Sequence, residues 1–300
     1  MEKSSDGSKS LWLVLKQAER VLDRWGIPNP RLEAEVLLAH VLKTDRTKLY
    51  LNRQLLINPE QLKAYHKCIY HRIKGMPTAY ITGHKEFFSM DFKVSRSVLI
   101  PRPETEILVE TCEKLIKKKI PCLAEGEPVN LVDLGTGSGI IAISIAKLIK
   151  NCKVYAVDKS DYALKTAREN AEQLGVSERI VFIKGDLFKA LDPMNLEGKV
   201  SGVISNPPYI PTGEIDCLQR EVKLYEPRIA LDGGKDGLEF YRRIIPGSLR
   251  FLNSGGFIAL EVGYNQASDV KQMLIENGYT DISVVPDYSG IERVITATTE

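Results

Sequence analysis

Residues 205–210 read SNPPYI and follow the apolar stretch VSGVI at 200–204. Each proline fixes its own φ, lacks an N–H and pushes the residue before it into an extended conformation, so Asn206 and Pro207 are both expected to be extended. The result is a stiff bracket at a strand end. Its carbonyls project with no proline donor to compete, and the Asn206 amide is held near them. A turn needs one proline; two of them between Asn206 and Tyr209 imply that something is gripped.

A second constellation lies upstream. DLGTGSG, residues 133–139, follows an apolar strand pattern and opens a helical one. Glycines at such a junction let a ligand approach the backbone, and the helix start offers free N–H groups, so a nucleotide-type cofactor is implied. The glycines run G-x-G-x-G, with Ile140 where the dinucleotide fingerprint needs its third glycine, which argues against a pyrophosphate. Asp158 closes the next strand pattern, where a carboxylate can accept hydrogen bonds from both ribose hydroxyls. Asp186 closes the third in GDLF, where it or the following backbone at Leu187 could meet an adenine edge. Two carboxylates suit a ribose and a cationic group better than a phosphate chain, which they would repel.

These residues need a scaffold, and the chain spells one. After residue 129, strand patterns (VNLVDLG, KVYAVD, RIVFIKGD, VSGVIS) alternate with helical stretches at 140–150 and 162–174. Two more helices, the strand GGFIALEVG and the closing strands YTDISVVP and ERVITATT follow. Such alternation predicts an α/β fold, a doubly wound Rossmann-like sheet ending in an antiparallel hairpin. Residues 1–75 read instead as amphipathic helices. The first places Leu11, Leu15, Ala18, Val21, Leu22 and Trp25 on one face, with Ser10 as cap; Asn29-Pro30 and Asn58-Pro59 open two more. Residues 76–102 read as a β-hairpin linker and 120–128 (IPCLAEGEP) as a second linker.

Composition sets limits. Three hundred residues with 43% hydrophobic content suit one large domain or two smaller ones, and no apolar run is long enough for a membrane span. The polar start MEKSSDGSKS has no signal core, so a cytoplasmic location is expected. Five scattered cysteines, Cys68, Cys112, Cys122, Cys152 and Cys217, form no CxxC pair and read as reduced packing residues, and the four histidines show no metal-ligand spacing. Lys+Arg against Asp+Glu is 17 to 10 over residues 1–100 and 24 to 29 over 101–300. A basic leading module fits either an acidic or RNA-containing partner or a solvated helical surface.

DLGTGSG, Asp158, Asp186 and NPPY, in that order, resemble a class I S-adenosylmethionine-dependent methyltransferase. FKVSRSVLIPRPETE at 92–106 and EPRIALDGGKDGLEFY at 226–241 make the chain similar to the HemK/PrmC family of protein-glutamine N5-methyltransferases, which modify the Gly-Gly-Gln loop of peptide chain release factors. The resemblance implies S-adenosylmethionine held by Gly135, Thr136, Gly137, Ser138, Gly139, Asp158, Asp186, Leu187 and Asn206. It implies a catalytic set of Asn206, Pro207, Pro208 and Tyr209, a release factor as partner, and neither metal, membrane nor direct nucleic-acid binding. It also divides the chain into a helical substrate-recognition domain (1–75), the hairpin linker (76–102) and a methyltransferase domain (103–300), expected as a monomer. The bracket then has a purpose. A glutamine nitrogen is a poor nucleophile because its lone pair is delocalised, and deprotonation near neutral pH is implausible. If the Asn206 side-chain oxygen and the Pro207 carbonyl each accept one amide hydrogen, the lone pair is aimed at the methyl group by position, without a general base. Pro208 stiffens the acceptors and Tyr209 packs on the flat amide. The resemblance places PRPETE, with Arg102, Glu104 and Thr105, beside the cofactor, though these also read as ordinary helix-start residues; Glu226 fits a loop closing over substrate or a surface turn equally, and Glu261 reads as a structural strand-end residue. Adenine-N6 methylation of RNA or DNA is the alternative, since an exocyclic amine poses the same lone-pair problem, but the mildly acidic second part of the chain counts against it. A nicotinamide dehydrogenase is opposed by Ile140.

Overall fold

The computed structural model describes residues 8–52, 55–119 and 128–300. The chain forms two compact units, one of residues up to Gly83 plus Gln219–Tyr225, the other of His84–Leu218 and Glu226–Glu300. Of the 120–128 stretch read as a linker, residues 120–127, with Cys122, lie outside the described residues.

The first unit contains β1 (Lys9–Ser10), α1 (Leu11–Arg24), α2 (Pro30–Leu42), α3 (Arg46–Leu51), β2 (Leu56–Ile57), α4 (Pro59–Ile73) and α5 (Thr78–Thr82), with β1 and β2 paired antiparallel. Its core is mostly aliphatic, with one buried tyrosine: Leu11, Val14, Leu15 and Leu22 of α1 meet Leu37 and Leu38 of α2 and Tyr65 and Ile69 of α4. Two residues assigned to the buried face of α1, Val21 and Trp25, are exposed. Val21 lies at the edge of the apolar arc and Trp25 follows the last helical residue, and Val14 takes the inner position instead. Asn58 forms a full capping box with Gln61, whereas Asn29 has φ 50° and makes no side-chain cap bond. That left-handed backbone departs from the extended geometry in which a cap side chain reaches the first turn. Arg72, 4% exposed, binds Glu33 at 3.0 Å and Glu221 at 3.3 Å, tying the later segment Gln219–Tyr225 into this unit.

The second unit begins with a hairpin, β3 (His84–Phe87) and β4 (Met90–Lys93), narrower than the 76–102 stretch read from sequence. Phe88 and Ser89 both take positive φ, the geometry that closes a two-residue turn. There follow α6 (Glu104–Lys119), β5 (Val129–Leu134), α7 (Ile140–Leu148), β6 (Cys152–Asp158), α8 (Asp161–Gln173), β7 (Ile180–Lys184) and β8 (Val200–Ser205). Helix α9 (Arg220–Tyr225) belongs to the first unit; α10 (Glu239–Ser248), β9 (Leu252–Glu261), α11 (Ala267–Glu276), β10 (Thr280–Pro286) and β11 (Glu292–Thr298) complete the second. The seven-stranded sheet has the order β10-β11-β9-β8-β5-β6-β7. Strands β9, β8, β5, β6 and β7 are mutually parallel, and β11 runs antiparallel to both β9 and β10.

Both faces of the sheet are covered, so its strands read as near-continuous apolar runs. Val154 and Ala156 of β6, with Phe257 and Ala259 of β9, join a core with α6, α7 and the hairpin. Tyr155 and Val157, with Ile258 and Leu260, join the opposite core with α10 and α11. Among the described residues, no helix is long and apolar enough to cross a membrane.

Candidate active site

The chain passes from β5 to β6 and β7 on one side, then returns to place β8 on the other side of β5. That reversal opens a crevice outside the carboxyl ends of β5 and β8, where ligands of open α/β sheets bind. A cavity of about 260 Å³ lies there, between the glycine loop after β5 and the bracket after β8.

Gly135, Thr136, Gly137, Ser138, Asp158, Asp186, Leu187, Asn206 and Pro208 line it. Gly139, Pro207 and Tyr209 are not among the lining residues. Gly139 has φ 83°, and a Cβ there would meet Ile143 Cδ1 at 2.8 Å and Ala167 Cβ at 3.1 Å, so this glycine lets α7 and α8 close up beneath the loop. The loop is braced from below by Asp133, fully buried, whose Oδ2 accepts from the Thr136 hydroxyl at 2.6 Å and from the Ala142 N–H at 3.3 Å. Its Oδ1 has no hydrogen-bond partner among the described residues, and burial pushes the carboxyl up to about 7. Asn170 of α8, also buried, donates to the Ser138 carbonyl at 2.9 Å and bonds both the N–H and carbonyl of Lys93, joining the loop to the hairpin.

Asp158 bends toward the loop: Oδ2 accepts from the Gly137 N–H at 2.9 Å and Oδ1 from the Ser160 N–H at 2.8 Å. Burial raises its carboxyl above the usual range. Each oxygen retains a lone pair for a further donor. Asp186 pairs with Arg243 of α10 at 2.6 Å, and both line the cavity. Leu187 has φ 50°, unusual for a branched side chain, and such backbone outliers cluster at ligand sites. Two carboxylates, Asp158 and Asp186, beside a bare glycine loop fit the S-adenosylmethionine that the sequence resemblance implies.

The bracket is stitched on three sides. The Asn206 amide nitrogen donates to Thr105 Oγ1 at 3.1 Å, and the Thr105 hydroxyl donates to Glu261 Oε2 at 2.7 Å. The Tyr209 hydroxyl reaches the other oxygen of Glu261 at 3.4 Å. Burial lifts the Glu261 carboxyl to about 7 and the Tyr209 phenol well above its ordinary value. Gln266 donates to the Tyr209 carbonyl at 2.9 Å. Ile210 then forms a parallel bridge with Asp232, bonding the Leu231 carbonyl and the Gly233 N–H, so the LDGG segment lies along the outer edge of the bracket. Arg102 and Glu226, which the sequence leaves open between a place at the site and an ordinary helix-start or turn role, form a 2.6 Å ion pair whose Glu226 side chain is 1% exposed. The pair joins the loop before α6 to the loop before α10 at the cavity rim.

Sequence reading missed Arg243, Phe240, Asn170 and Gln266; it left Thr105 open between a first-turn residue and a neighbour of the cofactor, and took Glu261 as structural. Arg243 lies just past the quoted 226–241 segment and Asn170 on a helix with no motif around it, and only packing brings Arg243 to the cavity and Asn170 under its glycine loop. Gln266 lies in the GYNQ run beside Glu261, the one local signal available.

Comparison with known proteins agrees with this geometry. The PrmC N-terminal domain family matches residues 14–83 and the methyltransferase small domain family matches residues 105–221. The release factor glutamine methyltransferase of Moorella thermoacetica is 40% identical over 285 residues, covering 95% of this chain and 96% of that protein. Its counterpart in Geobacter sulfurreducens is 41% identical over 282 residues, 94% of each. In fold, the chain resembles the hMettl16 catalytic domain solved in complex with MAT2A 3'UTR hairpin 6, with a TM-score of 0.55 at 16% identity, over 82% of this chain and 85% of that one. With strand order, glycine loop, bracket and near full-length identity all in accord, the chain belongs to the release factor glutamine methyltransferase family.

Proposed function

We propose that this chain methylates the side-chain nitrogen, N5, of the glutamine in the Gly-Gly-Gln loop of peptide chain release factors, using S-adenosylmethionine. Relatives at 40% and 41% identity, aligned over nearly their whole length, support the choice of acceptor. The observation that carries the chemistry is the orientation of the Asn206 amide: its nitrogen is committed to Thr105, which leaves its oxygen as the edge for an incoming N–H. The Pro207 carbonyl takes the second hydrogen, Pro208 keeps the pair rigid and Tyr209 packs on the amide plane. Residues 135–138 line the approach to the cofactor, with Gly139 closing the helices beneath them; Asp158 takes its ribose hydroxyls, and Asp186 with Leu187 meets its adenine edge.

When bound, S-adenosylmethionine supplies a methyl group activated by its sulfonium. In the balanced transfer the lone pair of the held nitrogen would form the new N–C bond as the methyl–sulfur bond breaks, S-adenosylhomocysteine would leave as a neutral thioether, and the methylated nitrogen would shed one proton to water. The protein contributes position and electrostatics, since the two acceptor oxygens stabilise positive charge developing on the nitrogen. The basic helical unit is assigned to gripping the body of the release factor, because one glutamine offers little surface for selection. The reaction is assigned to the cytoplasm, where translation termination occurs.

The test is transfer of labelled methyl to purified release factor, read by mass spectrometry as a gain of about 14 Da on the glutamine and absent from a Gln→Ala substrate. Asn206→Ala is expected to lower kcat by roughly 10²–10³-fold while cofactor binding persists. Label appearing in nucleic acid, or Asn206→Ala turning over at wild-type speed, overturns the assignment.

A further inference from the structure

Two buried residues stand behind Asn206, and their hydrogen bonds have a direction. Thr105, fully buried in the first turn of α6, has a single hydroxyl proton to give. It gives that proton to Glu261 Oε2 at 2.7 Å, so a lone pair of its oxygen is what faces the Asn206 nitrogen at 3.1 Å. Glu261, 1% exposed at the end of β9, offers acceptors and no donor when ionised. Its second oxygen faces the Tyr209 hydroxyl, so one carboxylate anchors both ends of the bracket.

We propose that Glu261 and Thr105 are positioning residues that together set which edge of the Asn206 amide faces the substrate. The proposal rests on the function assigned above, in which the Asn206 oxygen accepts an N–H of the target amide. With Glu261 charged, Thr105 must donate toward it and therefore accept from Asn206, which turns the amide oxygen to the cavity. A proton on Oε2 makes that oxygen a donor toward Thr105 and frees the Thr105 hydroxyl to donate to Asn206. The amide then turns over and presents its own –NH2 to the substrate –NH2, two donors face to face. A half-satisfied buried network of this kind is unforgiving, because every member depends on the polarity of the next.

The groups around Glu261 bear on that proton. Glu104, beside Thr105 on α6, raises the affinity for it; Arg293 of β11, bonded to Asp287 at 3.2 Å, lowers it. Tyr209 on the bracket donates to the carboxylate, and Tyr241 of α10 donates to the Glu261 backbone carbonyl at 2.9 Å rather than to the side chain. Burial outweighs these and brings the carboxyl up to about 7, so the polarity of the pair changes within the range in which an enzyme is assayed.

The experiment uses the full chain, purified release factor and S-adenosylmethionine, with kcat and KM for the acceptor, calorimetric binding of S-adenosylhomocysteine and thermal melting. Thr105→Val should lower kcat by about 10- to 100-fold, because a misaimed acceptor acts on the chemical step. Cofactor affinity should stay within about twofold, and Thr105→Ser, which keeps the hydroxyl, should recover kcat to within about threefold. Wild-type kcat should rise with pH through an apparent pKa near about 7, and Glu261→Gln should remove that limb and lower the plateau by about tenfold. A purely structural role would lower the melting temperature without separating Val from Ser and without removing the limb. Equal kcat for Thr105→Val and Thr105→Ser, or an acidic limb that survives in Glu261→Gln, overturns the proposal. Should Thr105→Val not fold, the pH comparison of wild type with Glu261→Gln decides. Failure of the functional assignment is seen separately, as wild-type enzyme that does not distinguish release factor from its Gln→Ala variant.

Discussion

Gly233 lies against the bracket, and filling its empty side tests whether rigidity there matters. A Cβ on Gly233 would lie 2.7 Å from Tyr209 Cα and 2.8 Å from both the Pro208 carbonyl oxygen and the Tyr209 carbonyl carbon. All three are backbone atoms, so no side chain can swing aside. Ordinary contact begins at 3.4 Å, so Gly233→Ala must push the chains apart by about 0.7 Å. Gly233 has no left-handed φ, and alanine adds no backbone strain of its own. Overpacking of this size costs about 1–3 kcal/mol of stability. The effect on rate should be larger. A displacement approaching 1 Å in a site that works by position can lower kcat by roughly 10²-fold, so a loss of about 10- to 100-fold is expected. Binding of S-adenosylhomocysteine should be nearly unchanged, because Gly233 touches neither the glycine loop nor Asp158. Gly213→Ala is the control: no atom lies within 4 Å of its Cβ position and its φ is not left-handed. Methyl transfer to release factor, calorimetry and a thermal melt suffice. If Gly233→Ala folds, binds cofactor and retains kcat within about twofold of wild type, the bracket does not act through rigid placement and the positional argument is wrong.

Asp158→Ala removes one bond to the glycine loop, one to the Ser160 N–H and the assigned ribose acceptor together, and should weaken S-adenosylhomocysteine binding by roughly 10- to 100-fold in calorimetry; unchanged affinity would place the ribose elsewhere. Stability should fall as pH rises through about 7. Burial raises both Asp133 and Glu261 to about 7, well above their unfolded values, so the folded state holds more protons between roughly pH 4 and 7. Their stabilising contribution is complete below that window and lost above it. Melting temperatures from pH 5.5 to 8.5 should decline, and Asp133→Asn and Glu261→Gln should each flatten the slope; a flat wild-type profile would contradict the burial argument.

Much of the architecture was legible because parallel strands buried on both faces must be apolar throughout, and β5, β6, β8 and β9 advertise this. The hairpin of β10 and β11 was legible from two β-branched runs around a short turn. Helix faces were read less well, as Val21 and Trp25 show, since a 3.6-residue period identifies an arc but not which edge of it a neighbour covers. Capping was divided in the same way: Asn58 and Asn29 carry the same Asn-Pro signature, yet only the first has the extended backbone that its side chain needs.

The sequence by itself determined the local stiffness of Asn206-Pro207-Pro208, the strand-end placement of Asp158 and Asp186, and the glycine spacing that disfavours a pyrophosphate. Those properties reside in covalent geometry and short-range patterns, and they hold wherever the segment sits. Tertiary structure alone decided that Thr105 and Glu261, separated by 156 positions, meet behind Asn206, that Arg243 reaches Asp186, and that Gly233 lies against Tyr209. A hydrogen bond has no sequence signature when its partners are brought together by the order of strands in a sheet. The orientation of the one amide on which the chemistry turns is therefore written in the packing around it.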